Sequence, residues 1–553
     1  MLGHGPAESV ADADWTELLG RARASAGTAP RSRAWWSDPR IVVPGAAALV
    51  FVGIVALRLP GLLSSFYWYS DFPNALQLAS AVFHGGWGQG LLIRSQSGLG
   101  SLWLVGFLDQ VTGSVVAGVA FGGILLLAAT ALMVRTAQRV MGSHRALAVG
   151  VLCIAAPPVV AWEALSPLAH ISTVVVTAAA AWQLVALSQS VRGRLVWSSL
   201  AVGALAGVCV ASDTLALAAA VGPWLICASV LAWQRPDRRL SLAITFGTAV
   251  VAGLAVALVA SANGIVASRL DVTSPSLQGI AAGLRVTAST LGQMLSGGWY
   301  NDVLPSAAMI AALALFLALI YFAVRGVTRP SATPAAGRSM YVMFWVLSSG
   351  ALISSLCITG LGIQESPVNY QGHYLDGLWF AIAALLPLVL RSGRSWRNPL
   401  VAVVAAMTLL SAFGVARLTA YPFQGPDYTD AQQLLSTLRQ LGVTRGYGGY
   451  WESYAIGWQT DQHISALPLQ TCADAAGGSQ LCRYAYAPPA LYQAQSGPVF
   501  VIVLRGSCDG DDLCINAANL ASLPKPELVR TVGLLQVEVY THDAFADLPR
   551  ATG

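Results

Sequence analysis

Residues 41–59 read IVVPGAAALVFVGIVALRL, an apolar run broken only by Arg58 near its end. As a helix it rises about 28 Å, close to the roughly 30 Å of a bilayer's hydrocarbon core. Polar residues 1–40 precede it and carry Arg21, Arg23, Arg31, Arg33 and Arg40. A loop of residues 60–97 follows, in which aromatic side chains surround an acid. Arginine on one flank and acid on the other orient the run by the positive-inside rule, with the N-terminus in the cytosol. No short basic start with an apolar core and cleavage site precedes it, so no secretory signal peptide is expected.

The same pattern continues downstream. Further apolar segments lie at about 113–134, 145–162, 168–187, 196–211, 214–233, 239–261, 305–325, 341–360, 374–390 and 398–416, which with 41–59 makes eleven. Segment 98–111 is apolar but short for a span, and it reads as re-entrant or interfacial. Alternate connections are arginine-rich: Arg192 and Arg194; Arg235, Arg238 and Arg239; Arg325, Arg329 and Arg338; Arg391, Arg394 and Arg397. The chain is 55% hydrophobic and 10% charged over 553 residues, which indicates an α-helical polytopic membrane protein. Its net charge of +5 sits in those connections, so it orients helices and is not a nucleic-acid footprint. Lys525 is the only lysine, a matter of composition. An odd span count places residues 417–553 outside, together with the loops 60–97, 262–304 and 361–373.

The tail 417–553 reads as a separate extracytoplasmic α/β domain. Thr429-x-x-Gln432 is a capping box for a helix with Leu434, Leu435, Leu438 and Leu441 on one side. Residues 498–504 (PVFVIVL) and 531–540 read as strands. Cys472, Cys482, Cys508 and Cys514 allow three pairings, of which 472–482 with 508–514 would staple two loops. Disulfides need an oxidising compartment, in agreement with an outer location. Cys153, Cys209, Cys227 and Cys357 fall in apolar segments and read as buried thiols. Neither set has metal-type spacing. Tyr447, Tyr450, Trp451, Tyr454 and Trp458 recur at helical spacing, as a domain core or as a sugar-stacking surface.

Walker A, GxGxxG, HExxH and CxxC motifs are absent from the sequence. Matched halves with broken helices, the mark of many transporters, are absent too. Most acids of the membrane region instead gather at outer ends: Asp71, Glu163, Asp213, Asp271, Asp302, Glu365 and Asp376. A carboxylate at mid-bilayer costs about 3 kcal/mol on insertion scales, so helix ends are where single acids are tolerated. Several acids gathered with aromatics suggest more, namely a polar outer cavity lined by Tyr69, Glu163, His170, Asp213, Tyr370, Tyr374 and Asp376. His170 reads either as cavity lining or as packing. Arg94, Arg269, Arg285 and His373 are the outer cations able to hold a lipid phosphate, or else headgroup contacts. Asp71, in Tyr67-Trp68-Tyr69-Ser70-Asp71-Phe72-Pro73-Asn74, is either a general base or, with Ser70, a cap for the amphipathic stretch Leu76–Phe83.

This layout resembles the GT-C superfamily of integral-membrane glycosyltransferases, in its aminoarabinose-transferase and protein O-mannosyltransferase branch. The elements that match are the cytosolic N-terminus, one span, an outer loop with the acid of Ser70-Asp71-Phe72-Pro73-Asn74-Ala75, and the amphipathic segment after it. Gly98-Leu99-Gly100-Ser101-Leu102-Trp103-Leu104 leads into the next apolar segment, and a soluble outer domain ends the chain. The likeness covers about 41–416.

The resemblance implies transfer of a sugar from a polyprenyl-phosphate carrier to a glycan, lipid or protein acceptor on the outer face of the cytoplasmic membrane. Asp71 would be the general base and outer arginine or histidine the counter-charge. Two departures stand out. Phe72 follows Asp71 where many relatives have a second acid, and the late loop reads His373-Tyr374 where Arg-Tyr is frequent. The expectation is therefore a site without cofactors, a divalent metal being the alternative. The rival readings are a lipid or sugar transporter or flippase, and a non-catalytic cell-envelope scaffold.

Overall fold

The computed structural model describes residues 38–551 apart from 69–75, 77, 81, 84–91, 94–98, 113, 166–169, 190–194, 263–265, 268–274, 300–302, 329–334, 360–369, 391–397, 418–427, 461–462, 475–477, 486, 488–490, 495 and 509–511. Among the described residues, nine helical segments are long and apolar enough to cross a membrane. The protein is an α-helical multi-pass bundle followed by a sheet domain.

The bundle begins at Asp38, whose carbonyl accepts from Ile41 and Val42 N–H and opens α1 (Pro39–Trp68). Helix α2 (Leu99–Thr112) covers segment 98–111; at 14 residues it rises about 21 Å and falls short of a full crossing. Helix α3 is Ser114–Met141. The predicted span 145–162 is two helices, α4 (Ser143–Ile154) and α5 (Pro158–Leu165), because Pro157 and Pro158 remove two donors in succession. Helix α6 is Ile171–Gln189 and α7 is Leu195–Val210, only 16 residues long. A π-helical turn, Leu217–Val221, runs into α8 (Gly222–Gln234). Helix α9 is Arg239–Ala262.

The region expected as an open loop, 262–304, holds a twenty-residue helix, α10 (Leu277–Ser296). Ser276 Oγ caps it by accepting from Gly279 N–H at 3.0 Å, and Gly297 ends it at φ 68. Helices α11 (Ser306–Thr328), α12 (Ala335–Thr359), α13 (Gly377–Val389) and α14 (Pro399–Arg417) complete the bundle.

Small residues set the closest helix pair. Gly203 and Gly207 on α7 lie against the backbone of α9; a Cβ at either would collide with the carbonyl of Thr245 or of Ala249. Such GxxxG seams let helices approach where water supplies no drive to associate. One buried amide ties four helices together. Gln183 Nε2 donates to Thr245 Oγ1 at 2.6 Å and to Ser199 Oγ at 3.3 Å, and its Oε1 accepts from Trp224 Nε1 at 3.0 Å. Leu254 and Leu258 on α9 and Ile310 and Leu315 on α11 stay exposed, as lipid-facing residues do.

Contacts fix which loops share an end. Gly297, past α10, packs on the Leu410 carbonyl of α14, and Gly414 of α14 packs on Pro158. Trp162 meets Trp299 with ring centroids 5.5 Å apart. A 3-10 turn, Tyr370–Leu375, packs against α5 and α10. Strands β1 (Leu92–Ile93) and β2 (Val266–Ala267) pair in parallel and bring two loops together. The C-terminal domain follows from the end of α14 at this same end of the bundle. The described Arg235–Arg239 turn lies at the other, where Arg235 Nη1 donates to the Ser188 carbonyl near the end of α6.

The C-terminal domain is a six-stranded mixed sheet in the order β5-β4-β3-β6-β8-β7. Its strands are β3 (Arg445–Gly448), β4 (Ser465–Ala473), β5 (Ser479–Arg483), β6 (Val499–Leu504), β7 (Leu528–Val532) and β8 (Leu535–Tyr540). Helices α15 (Tyr428–Leu441) and α16 (Tyr450–Gln459) accompany it, and α16 packs on α1. The stretch 531–540 is thus a hairpin end rather than one strand, because Gly533 at φ 56 supplies the turn. Helix α15 starts at Tyr428, so Thr429 sits in its first turn and not at the N-cap. Leu434, Leu435 and Leu438 are buried. Tyr447, Tyr450 and Tyr454 are core residues, while the side chains of Trp451 and Trp458 lie outside the description. Disulfides join Cys472 to Cys482 and Cys508 to Cys514. Cys153, Cys209, Cys227 and Cys357 are buried and free.

Candidate functional site

His170 immediately precedes α6, and its carbonyl accepts from Val174 N–H at 3.1 Å. Thr173 is three residues on and therefore on the same face of the helix. Asp213 lies in the turn between α7 and the π turn, where its backbone N–H donates to the Cys209 carbonyl at 2.6 Å. Its Oδ1 accepts from Leu215 N–H at 2.9 Å, a local turn contact of the kind aspartate favours. Its Oδ2 lies 2.7 Å from His170 Nδ1 and accepts from Thr173 Oγ1 at 2.5 Å. Three donors thus converge on one carboxylate that is only 3% exposed.

Burial alone would push the Asp213 carboxyl up. The charge of His170, its hydrogen bond, and those from Thr173 and Leu215 outweigh burial and hold it below the ordinary carboxylate range. An ionised Asp213 requires that the shared proton sit on Nδ1, which fixes the His170 tautomer by its partner. Any ligand contact by this imidazole therefore falls to Nε2.

Two more rings complete the cluster. His373 lies parallel to His170, with centroids 5.6 Å apart and 8° between planes. Tyr374 is 5.3 Å from His170 and 3.9 Å from His373 by the same measure. Both come from the 3-10 turn that precedes α13. Asp376 closes that turn: its N–H donates to the His373 carbonyl at 3.3 Å and its own carbonyl accepts from Trp379 N–H at 3.1 Å. The π turn behind Asp213 displaces a helical carbonyl, and Ser348 Oγ of α12 donates to it, at Ala219, over 2.6 Å. Single π turns of this kind often accompany functional sites.

Between these elements is a narrow cleft, open in part to solvent, whose enclosed space is about that of a single water molecule. His170, Thr173, His373, Tyr374 and Asp376 line its polar part; Trp345, Leu352 and Phe380 line the rest. Its histidines and carboxylate present a polar face at the mouth of the cleft, with an aromatic wall beside it.

The candidates read from the sequence fall in different places. His170, Asp213, His373, Tyr374 and Asp376 come together around this cavity. Glu163 lies in α5 and Tyr370 opens the 3-10 turn, with only their backbones described. Arg285 is on an exposed face of α10 and does not line the cavity. Asp71, Tyr69, Arg94 and Arg269 lie outside the described residues. Cys472, Cys482, Cys508 and Cys514 belong to the C-terminal domain. Thr173, Trp345, Ser348 and Phe380 were not singled out from the sequence; only Thr173, one turn from His170, carried a spacing signal. Among the described residues, no three His, Cys, Asp or Glu side chains converge as a metal site.

No family model matches the chain. No curated protein matches it in sequence. Among solved structures it is similar to ArnT from Cupriavidus metallidurans bound to undecaprenyl phosphate, a GT-C glycosyltransferase. The TM-score is 0.53 at 13% identity, over 88% of this chain and 97% of that one. A looser likeness, TM-score 0.43 at 13% identity, is to the apo oligosaccharyltransferase of Archaeoglobus fulgidus, over 79% of this chain and 64% of that one. At such identity the comparison speaks to fold alone: this chain shares the fold of that ArnT structure.

Proposed function

We propose that this GT-C-fold chain is a membrane glycosyltransferase. It moves a sugar from a polyprenyl-phosphate donor to an acceptor on the outer face of the cytoplasmic membrane. One observation carries the reading: a fold shared over nearly its whole length with a protein solved holding undecaprenyl phosphate. The polar cavity at the domain-bearing end of an otherwise apolar bundle supports it.

Asp71 is the general base in this reading. An acceptor hydroxyl attacks the anomeric carbon as the carbon–oxygen bond to the carrier phosphate breaks, with inversion. The hydroxyl proton passes to Asp71, and the polyprenyl phosphate leaves with the electron pair. That leaving group is a weak base and needs counter-charge more than a proton. His373, with Tyr374 beside it, supplies contact to the phosphate, and Arg94, Arg269 and Arg285 are further candidates. No metal or other cofactor is invoked.

The test is turnover by the purified protein in lipid nanodiscs, wild type beside Asp71→Asn. Radiolabelled polyprenyl-phosphate mannose and arabinose are offered as donors, with a crude envelope extract as acceptor. Transfer that the substitution abolishes is expected. Donor binding without transfer would turn the reading toward a flippase or scaffold, and undiminished transfer by Asp71→Asn would dismiss Asp71 as the base.

A further inference from the structure

We infer that Asp213 is a positioning residue for the donor site: it holds His170 by Nδ1, and through the His170 ring it sets the His373–Tyr374 turn where the carrier phosphate docks. The inference rests on the glycosyltransferase reading above and adds a second pair of residues to it.

Four observations carry it. The pair is buried, with 5% of the His170 and 3% of the Asp213 surface exposed. Ionisable groups within a membrane domain are costly, and where they occur they mark function more often than packing. The Asp213 carboxylate is held by three donors from two elements, so it can neither rotate nor retreat. The imidazole that it fixes touches both rings of the 3-10 turn, one stacked and one tilted. Finally, all four side chains meet at one cavity wall or directly behind it. A site for a phosphate needs its contacts held to within about half an ångström, which a short 3-10 turn does not provide for itself. Asp376, on the same turn, also lines the cavity, so the position of His373 relative to that carboxylate decides how well an anion is received there.

Asn in place of Asp213 separates positioning from packing. It keeps the shape, but its amide donates to Nδ1, so the imidazole proton moves to Nε2 and the negative partner is lost. Asp213→Asn and His170→Gln are measured for binding of undecaprenyl phosphate in nanodiscs and for donor KM and kcat. Expected is a donor KM and a carrier Kd raised about tenfold in each, with kcat within about threefold, measured below the lowered unfolding midpoint of each variant so that both are folded. Thr173→Val, which removes one brace and leaves both charges, should show a smaller shift in the same direction. If the variants match wild type in KM and Kd, the pair is packing and the inference falls. If kcat collapses while KM and Kd hold, His170 acts chemically and the positioning role falls. If the wild type does not bind undecaprenyl phosphate, the glycosyltransferase reading falls and this inference with it.

Discussion

The imidazole of His170 lies parallel to that of His373, with 5.6 Å between centroids and 8° between planes. The two residues come from ends of the bundle chain about two hundred positions apart in sequence. Their contact joins the start of α6 to the turn before α13, and the Asp213 carboxylate meets the first ring at its Nδ1 edge, 2.7 Å away. A chain of three side chains therefore links the α7–α8 turn to the cavity wall.

Removing the carboxylate altogether should cost stability. Asp213→Ala strands His170, Thr173 and the Leu215 N–H together, and breaking one side of a buried pair costs about 3–5 kcal/mol. The sign with pH follows from the depressed carboxyl. Its contribution is present above the unfolded value near 3.9 and is lost as pH falls through the lower folded value. Thermal unfolding in detergent should thus show a large gap between wild type and variant at pH 7, narrowing in strong acid. A gap that widens in acid would contradict the assignment.

The α7–α9 seam makes a second prediction. Gly207→Leu places a branched side chain where even a Cβ meets the Ala249 carbonyl. Overpacking costs about 1–3 kcal/mol, and here the helices must separate to relieve it. The midpoint of thermal unfolding should fall clearly below wild type. The exposed α9 position Leu258, replaced by Ala, should leave it almost unchanged.

Much of this architecture is written in the sequence, and the parts that are not have identifiable causes. Arginine placement and apolar length mark the helices, because each acts within one segment. The 262–304 region hides α10, since its small residues and Arg285 dilute the apolar signal that its buried face carries. The double proline at 157–158 converts one expected span to two helices, which hydropathy averaging does not resolve. At the site, His170, Asp213 and His373 stand out singly as polar residues at apolar ends. Their meeting does not, because it depends on how three distant helix ends pack. Ser348 and Trp345 give no signal at all, being ordinary residues of an apolar helix until the π turn places Ala219 opposite.

The interior amide gives a third prediction. Gln183→Leu leaves Trp224 Nε1 without its acceptor and Thr245 Oγ1 without its donor. Interhelical hydrogen bonds in membranes are worth about 1–2 kcal/mol at most, and often less. A modest fall in thermal stability is expected, with donor binding unchanged because the cluster is separate from the cavity lining. Loss of donor binding by this variant would show that the two are coupled.

The C-terminal domain offers the sharpest test of where the chain ends up. Its two disulfides close short loops, Cys472 to Cys482 across the β4–β5 hairpin and Cys508 to Cys514 beside β6. Loops of this size restrict the unfolded chain by about 2–3 kcal/mol each in the entropic account. Peptide mapping without reductant should recover both cross-linked pairs from protein purified out of membranes. Reductant should then lower the unfolding midpoint of this domain while leaving the helical bundle intact, because the four remaining cysteines are already thiols. Disulfides of this kind persist only in an oxidising compartment. Four free thiols in freshly isolated protein would therefore place the domain, and with it the cavity end of the bundle, on the cytosolic side. The proposed chemistry would then have to occur on the opposite face from the one argued above.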